Sequence, residues 1–360
     1  MKLLNFLFLN FTFSLVFSLS KLEQPPYEGY RLVKIDERRP AFWVPFEVIE
    51  VLSRSELNFM DVTDHQIVDA SLTPASSAIP TAPVHQDIVE PLIQKIEKKY
   101  YKEKLIELTS FINRYYTSYG VESAEWVFNL VTEISNNRSD ITVSKFSHSW
   151  PQPSVIARIQ GTKTDELVIL GAHQDSIAPG MPEESAPGAD DDGSGTTALF
   201  EIFRILIEAD FKPEYTLEFQ WYAAEEVGLL GSQAIAEYYQ SQRKSVRAMM
   251  QLDMIGYNEV ESTVAIITDF TSPQLNAFNR LLVEEYLEIG WTDTSCGYGC
   301  SDHASWNKYG YPSSFPFEAQ PGNTTPHGHS PNDIIDYISL EHAKEFVKLG
   351  LSFAIELSHE

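Results

Sequence analysis

Cysteine is nearly absent, with two residues in 360. Two sulfurs cannot build a disulfide-stapled scaffold or a thiolate zinc finger, so any metal site must come from histidine and carboxylate. Positive charge is also scarce: 26 Lys and Arg stand against 51 Asp and Glu, a formal net charge of -25. Such a field repels the phosphate backbone on which nucleic-acid affinity rests, which argues against a DNA or RNA partner. After the first twenty residues no apolar run is long enough to span a bilayer. Hydrophobic residues nevertheless reach 43% and aromatics 12%, enough to offset the entropy of ordering a large core. The length suits one large domain or two smaller ones.

Lys2 precedes an apolar stretch over residues 3–19 that Asn5, Asn10, Thr12 and Ser14 interrupt, and it ends in Ser18-Leu19-Ser20. A basic start, an apolar middle and small residues at the exit predict a secretory signal over 1–20 and a secreted protein without a membrane anchor. An oxidising compartment permits Cys296 and Cys300 to pair across three residues. The sequons at Asn137 and Asn323 are compatible with glycosylation on that route. Residues 21 to about 70 mix short apolar runs with charge, and 72–83 hold three prolines among small polar residues. That composition predicts an extended, protease-accessible linker, with 21–83 as a pro-region removed on maturation and 84–360 as a single domain.

Between 87 and 119 apolar residues such as Ile88, Leu92, Leu105 and Leu108 recur largely at helical spacing and predict two surface helices. Short apolar runs at 167–170, 216–222, 249–254 and 264–268 predict strands, and periodic stretches at 196–206, 231–239, 273–287 and 340–357 predict helices. The alternation implies an α/β domain whose helices cover a mostly parallel sheet. Ligands of such sheets collect at the carboxyl ends of the strands, so polar residues there are the candidates for chemistry.

Five segments qualify. They are Gly171-Ala172-His173-Gln174-Asp175, the glycine-flanked acidic loop Asp190-Asp191-Asp192, Ala223-Ala224-Glu225-Glu226, Leu252-Asp253-Met254, and Pro326-His327-Gly328-His329-Ser330-Pro331-Asn332-Asp333. Three neighbouring carboxylates repel one another unless a cation neutralises some of them. Two histidines with three carboxylates form a nitrogen and oxygen donor set that suits zinc, and a shared carboxylate can hold two such ions. Successive side chains of an extended segment point to opposite sides, so one of Glu225 and Glu226 can ligate while the other is free as a base. His173 and Asp175, two apart on a strand, share a side, which lets Asp175 fix the tautomer of His173.

In combination and order these motifs, with Cys296-Gly297-Tyr298-Gly299-Cys300-Ser301-Asp302-His303, resemble the secreted co-catalytic zinc leucine aminopeptidases of bacteria and fungi. The likeness runs from about residue 84 to the C-terminus, and the stretch 58–64 is similar to the pro-region of the fungal members. It implies a three-layer α/β/α sandwich around a mixed eight-stranded sheet. It further implies two zinc ions per subunit bridged by Asp191, with His173 and Asp253 on one ion and Glu226 and His329 on the other. His327 lies close enough to compete with His329 for that place. Glu225 matches the family's general base and Tyr298 the residue that holds the substrate carbonyl oxygen. Two zinc ions, three carboxylates and one bridging hydroxide sum to zero charge. The expected activity is release of N-terminal leucine or other bulky apolar residues from peptides with a free N-terminus, by a monomer. Two other readings fit the same sheet: a carboxypeptidase or glutaminyl-cyclase-like enzyme, and an inactive binding ectodomain. His148, His303 and His342 read as structural or surface groups.

Overall fold

The computed structural model describes residues 28–36, 38–53, 59–65, 68–260 and 262–360, so the signal expected at 1–20 lies outside the described residues. The described chain opens with a small antiparallel sheet of β1 (Tyr30–Lys34), β2 (Phe42–Pro45) and β3 (Met60–Asp61), with α1 (Phe46–Ser53) packed on it. Two helices, α2 (Gln86–Ile93) and α3 (Lys98–Leu108), then fall where the periodicity predicts them. A third, α4 (Gly120–Ile134), follows and buries Ala124, Val127 and Val131 at helical spacing.

The main sheet grows outward from its most apolar strand. After β4 (Ile141–Phe146) and β5 (Ser154–Ile159) comes β6 (Thr164–His173), in which Val168, Leu170 and Ala172 face one way and Leu167 and Ile169 the other, all buried. A strand buried on both faces belongs at the centre of a parallel sheet. Accordingly β6 runs parallel to both β7 (Tyr215–Tyr222) and β8 (Val246–Gln251), while β5 and β4 extend the sheet antiparallel beyond β7. On the other side lie β9 (Thr263–Ile267) and its parallel neighbour β10 (Gly290–Thr294). The stretch 313–317 joins the two ladders: its first part, β11 (Ser313–Ser314), pairs with β8, and its second, β12 (Pro316–Phe317), pairs with β9. With 313–317 taken as one strand the run has eight strands of mixed direction.

Helices cover both faces. On one, α5 (Gly193–Glu208) and α9 (Leu340–Leu357) bury Ala198, Phe203, Leu349 and Phe353 against Val168, Leu170, Phe219 and Met250. The helices meet closely at Gly350, where a Cβ would stand 2.6 Å from Ile202 Cδ1. On the other face α6 (Leu230–Ser241) and α8 (His303–Lys308) bring Ile235, Tyr239 and Trp306 onto Ile169 and Met249. Helix α7 (Pro273–Tyr286) adds Leu275, Phe278 and Leu282 to the first of these cores. The result is the expected three-layer α/β/α sandwich. Among the described residues no helix is long and apolar enough to cross a membrane.

The proline-rich segment is extended, as its composition requires, but it is tied down. Ser77 donates its backbone N–H and its hydroxyl to Glu166, Arg247 donates to the Ala78 carbonyl, and Glu356 accepts the N–H groups of Val84 and His85. The helical 3₁₀ turn at Ala70–Leu72 lies just upstream, with Gln240 donating to the Asp69 carbonyl and Thr73 Oγ1.

The fold also buries uncharged imidazoles. His342 is 1% exposed, its Nε2 lies 3.1 Å from the Glu318 carbonyl, and its Nδ1 is buried without a hydrogen-bond partner. Burial pushes it down to about 4. The unfolded chain therefore takes up this proton first, so the stability contributed by neutral His342 is complete above about pH 6.5 and is lost as the pH falls toward 4. His342→Gln keeps a donor for the Glu318 carbonyl without titrating. Denaturant unfolding is expected to show the variant losing less stability than the wild-type chain across that window, and parallel losses would refute the assignment.

Candidate metal centre

Parallel topology places the carboxyl ends of β7, β6 and β8 side by side, and four of the five predicted segments leave the sheet or enter a helix there. His173 is the last residue of β6. Beyond the end of β7 the chain turns at Ala224, with φ of 58°, and presents Glu225 and Glu226. The strand expected over 249–254 stops at Gln251, so Asp253 stands in the loop beyond it, followed by Met254 at φ of 51°. The acidic loop precedes α5, whose first turn is capped by Asp192 accepting the Gly195 N–H. His329 arrives from the 325–333 loop, itself at φ of 50°.

Five side chains converge. His173 Nε2 lies 3.1 Å from Asp191 Oδ1 and 3.5 Å from Asp253 Oδ1, and His329 Nε2 lies 3.1 Å from Asp191 Oδ2 and 3.0 Å from Glu226 Oε2. Asp191 thus faces a histidine with each oxygen. Glu225 and Glu226 do diverge, but from a left-handed turn and not from an extended strand: Glu225 Oε2 approaches His173 Nε2 at 4.0 Å while Glu226 turns to His329. His327 is elsewhere, stacked on Tyr337 with ring centroids 3.9 Å apart. Tyr298 is half-buried on the loop closed by the Cys296–Cys300 disulfide. The His173, Asp191, Asp253 and Glu226 side chains are buried, whereas that of His329 is 27% exposed, so the centre is open on the His329 side.

Burial of so many acids has an electrostatic signature. Burial pushes Glu226 up to about 7, with Asp191 adding to the shift, and raises Glu225 well above the carboxylate range, helped by Asp302, Glu226 and Asp253. Asp191 goes down: burial opposes its charge, but contacts to His173 and His329 outweigh it. Both histidines are raised against their own burial, His173 chiefly by Asp253 and Glu225 and His329 chiefly by Glu226. The side chains can supply positive charge only by protonating these two rings, and a divalent cation would displace those protons. Buried oxygens Glu226 Oε1 and Asp253 Oδ1 accept no hydrogen bond, as suits atoms directed at a cation. Two triads have donor atoms within 4.8 Å of one another, His173 with Glu225 and Asp253, and His173 with Asp191 and Glu226. A set of imidazole nitrogens and carboxylate oxygens fits zinc.

A second layer holds the loops. Asp175 accepts the N–H groups of Glu225 and Glu226 with its two oxygens, while its Oδ1 lies 3.5 Å from His173 Nδ1. Asp333 does the same for Asp190 and Asp191 at 2.9 and 3.0 Å. Arg114, fully buried, donates to the carbonyls of Gln174, Pro187 and Gly188 and so ties the loop after β6 to the acidic loop. Ser301 donates to Asp253 Oδ2 at 2.6 Å. Asp190 is raised well above its usual range by burial and by Glu318, which itself rises to about 7 through burial. Asp175 was readable from its spacing to His173, but Arg114 carries no local signal because its three carbonyl partners lie 60 to 74 residues away, and Glu318 reaches Tyr257 across 61.

Comparison with known proteins adds the following. The signature described as Peptidase family M28 matches residues 154–354. "Leucine aminopeptidase 1" of Trichoderma harzianum is 44% identical over 336 residues, 88% of this chain and 84% of that protein. "Probable leucine aminopeptidase" of Arthroderma otae is 39% identical over 340 residues, covering 93% and 94% of the two chains. Among solved structures, the LapA aminopeptidase of Legionella pneumophila superposes with a TM-score of 0.82 at 27% identity, over 92% of this chain and 99% of that one.

Asp333→Asn removes one of the two acceptors beneath Asp190 and Asp191 while preserving volume. It is expected to weaken zinc binding by about tenfold to a hundredfold in competition with a chromogenic chelator. Unchanged affinity would mean that Asp333 does not set the orientation of Asp191.

Proposed function

The chain belongs to peptidase family M28, and we propose that it is a secreted aminopeptidase that releases N-terminal leucine or other bulky apolar residues from peptides. The observation that carries the reading is the convergence of His173, Asp191, Asp253, Glu226 and His329 on one point with Glu225 beside them. In this proposal His173, Asp253 and Asp191 would hold one zinc ion, and Glu226 and His329 with Asp191 would hold a second. When bound, the zinc ions acidify water and polarise the scissile carbonyl.

The chain's own groups do the rest. Glu225 takes a proton from the attacking water and delivers it to the departing amine, a task suited to a carboxylate whose burial raises its basicity. Asp175 fixes the backbone from which Glu225 extends, and its Oδ1 stands 3.5 Å from Nδ1 of His173. The hydroxyl of Tyr298 donates a hydrogen bond to the carbonyl oxygen as negative charge develops there. The net negative field favours cationic N-termini as substrates. Recognition of a free carboxylate would call for a cation, but Arg114 is engaged by three carbonyls, and among the described residues the ion pairs of the five converging groups are with one another, Asp175 and Glu225. This supports an aminopeptidase over a carboxypeptidase. Residues 1–20 are the proposed signal, 21–83 the removable pro-region and 84–360 the catalytic domain, working as a monomer outside the cell.

Glu225→Gln is expected to retain zinc while turnover of leucine anilide drops by about a thousandfold. A wild-type rate in the zinc-loaded variant would refute the base assignment. The wild-type enzyme is expected to lose activity in chelator, recover it with zinc, and leave N-acetylated leucine anilide intact. Cleavage of the blocked substrate would overturn the requirement for a free N-terminus.

A further inference from the structure

The loop of Cys296 to Cys300 carries Tyr298, and its attachment to the body is unequal at its two ends. At the C-terminal end the chain enters α8 directly, with Ser301 bonded to Asp253 and Asp302 accepting from Gln251 Nε2 at 3.0 Å. The disulfide fixes the separation of the loop's ends, with 6.2 Å between the Cα atoms, and buried Gly299, where a Cβ would stand 3.0 Å from Ala304 Cβ, seats this half of the loop on α8. At the N-terminal end Gly297 has φ of 87°, and a Cβ built there would meet nothing within 4 Å, so packing does not hold this corner. Hydrogen bonds to one carboxylate do: Asp269 Oδ1 accepts the Cys296 N–H at 3.1 Å and Oδ2 accepts the Gly297 N–H at 2.6 Å.

Asp269 is itself on a firm mount. It lies two residues past β9, where Thr268 donates its N–H and hydroxyl to the Thr294 carbonyl. Thr271 and Asn276 both donate to the Ile267 carbonyl, and Ser313 donates to that of Phe270. The geometry repeats that of Asp175 beneath Glu225 and Glu226 and of Asp333 beneath Asp190 and Asp191: one carboxylate accepts two consecutive N–H groups of a loop that presents a site residue. Charge-assisted pairs of this kind are stronger and more directional than neutral ones. We propose that Asp269 is a positioning residue for the reaction, setting the inclination of the disulfide-closed loop and through it the hydroxyl of Tyr298. The kinetic part of the proposal rests on the role given to Tyr298 above; the structural part does not.

The test uses the zinc-loaded enzyme and Asp269→Asn, which keeps the volume but turns one oxygen into a donor facing the Gly297 N–H. Hydrogen exchange over 295–300 is expected to quicken by about tenfold or more, with the rest of the molecule and the zinc content unchanged. On leucine anilide kcat is expected to fall about tenfold with little change in KM, since a small displacement of a group acting on the transition state is sufficient for such a loss. In a Tyr298→Phe background the same substitution is expected to add no further loss of kcat. Asp269→Glu, which keeps the charge but moves it outward, is expected to lie between, and it serves as the second variant should the asparagine form fold poorly. Unchanged exchange in the loop would overturn the proposal, as would losses that multiply in the double variant. Full activity of Tyr298→Phe alone would overturn the kinetic part through Tyr298, and the exchange result would separate that failure from failure of the clamp.

Discussion

The whole arrangement turns on an excess of buried negative charge. Asp191, Asp253, Glu226 and Glu225 meet at one point, with Asp175, Asp192 and Asp302 close behind, all of them largely withdrawn from water. Such a cluster is stable only if protons or cations offset it. The protein meets part of that demand by raising several of the acids and both histidines. It leaves the rest as oxygen atoms without donors, which makes the same electrostatic burden the source of affinity for a divalent metal.

Holding such a cluster together requires loops that do not relax away from one another. The backbone of each ligand loop meets this through carboxylates that take two N–H groups at once, under Glu225 and Glu226 on one side and under Asp190 and Asp191 on the other. Arg114 completes the cage without bringing its charge to the ligands, because its donors end on three carbonyls. A guanidinium kept behind the loops holds two of them by geometry while leaving the acids of the centre for the metal. A lysine could not replace it, since one ammonium cannot reproduce the planar fork that spans the carbonyls of Gln174, Pro187 and Gly188.

The legible parts of the sequence were those in which local pattern and tertiary demand agree. The run Leu167 to Leu170 reads as a strand buried on both sides because it is one, and His173 follows as the residue at its carboxyl end. The strand assigned over 249–254 overran for the same reason. Leu252 and Met254 look like strand residues, yet the chain must leave the sheet at Gln251 to bring Asp253 over its edge, and apolar character alone does not show that departure. The antiparallel pair β4 and β5 and the helix α4 went unassigned although their patterns are regular: β4 alternates half-buried Ile141 and Val143 with exposed Thr142 and Ser144, β5 is buried nearly throughout, and α4 buries Ala124, Val127 and Val131 at helical spacing. Of the site, the residues named by motif were recoverable, whereas Arg114, Glu318 and Asp269 were not, since their partners are brought near only by folding.

The N-terminal segment bears on how the catalytic loop is held before and after processing. Asp61 of β3 donates its N–H to the Gly228 carbonyl, only two residues beyond Glu226, and a Cβ at Gly228 would collide with Asp61 at 2.6 Å. The same carbonyl also accepts from Gln233 Nε2 at 3.0 Å, and Gln233 belongs to α6 of the body. The loop therefore has partners in the segment 21–83, which also packs Met60 and Val62 on Leu229, and a further partner in Gln233, which itself donates to the Asp61 carbonyl. Its remaining supports, Asp175 beneath Glu225 and Glu226 and the capture of the Leu230 N–H by the Ala224 carbonyl, are likewise internal to the body. Removal of the segment would uncover Leu229 but would leave Gly228 its bond to Gln233 and Glu225 and Glu226 their bonds to Asp175, so the hydrogen bonds beneath Glu225 do not depend on the part of the chain expected to leave.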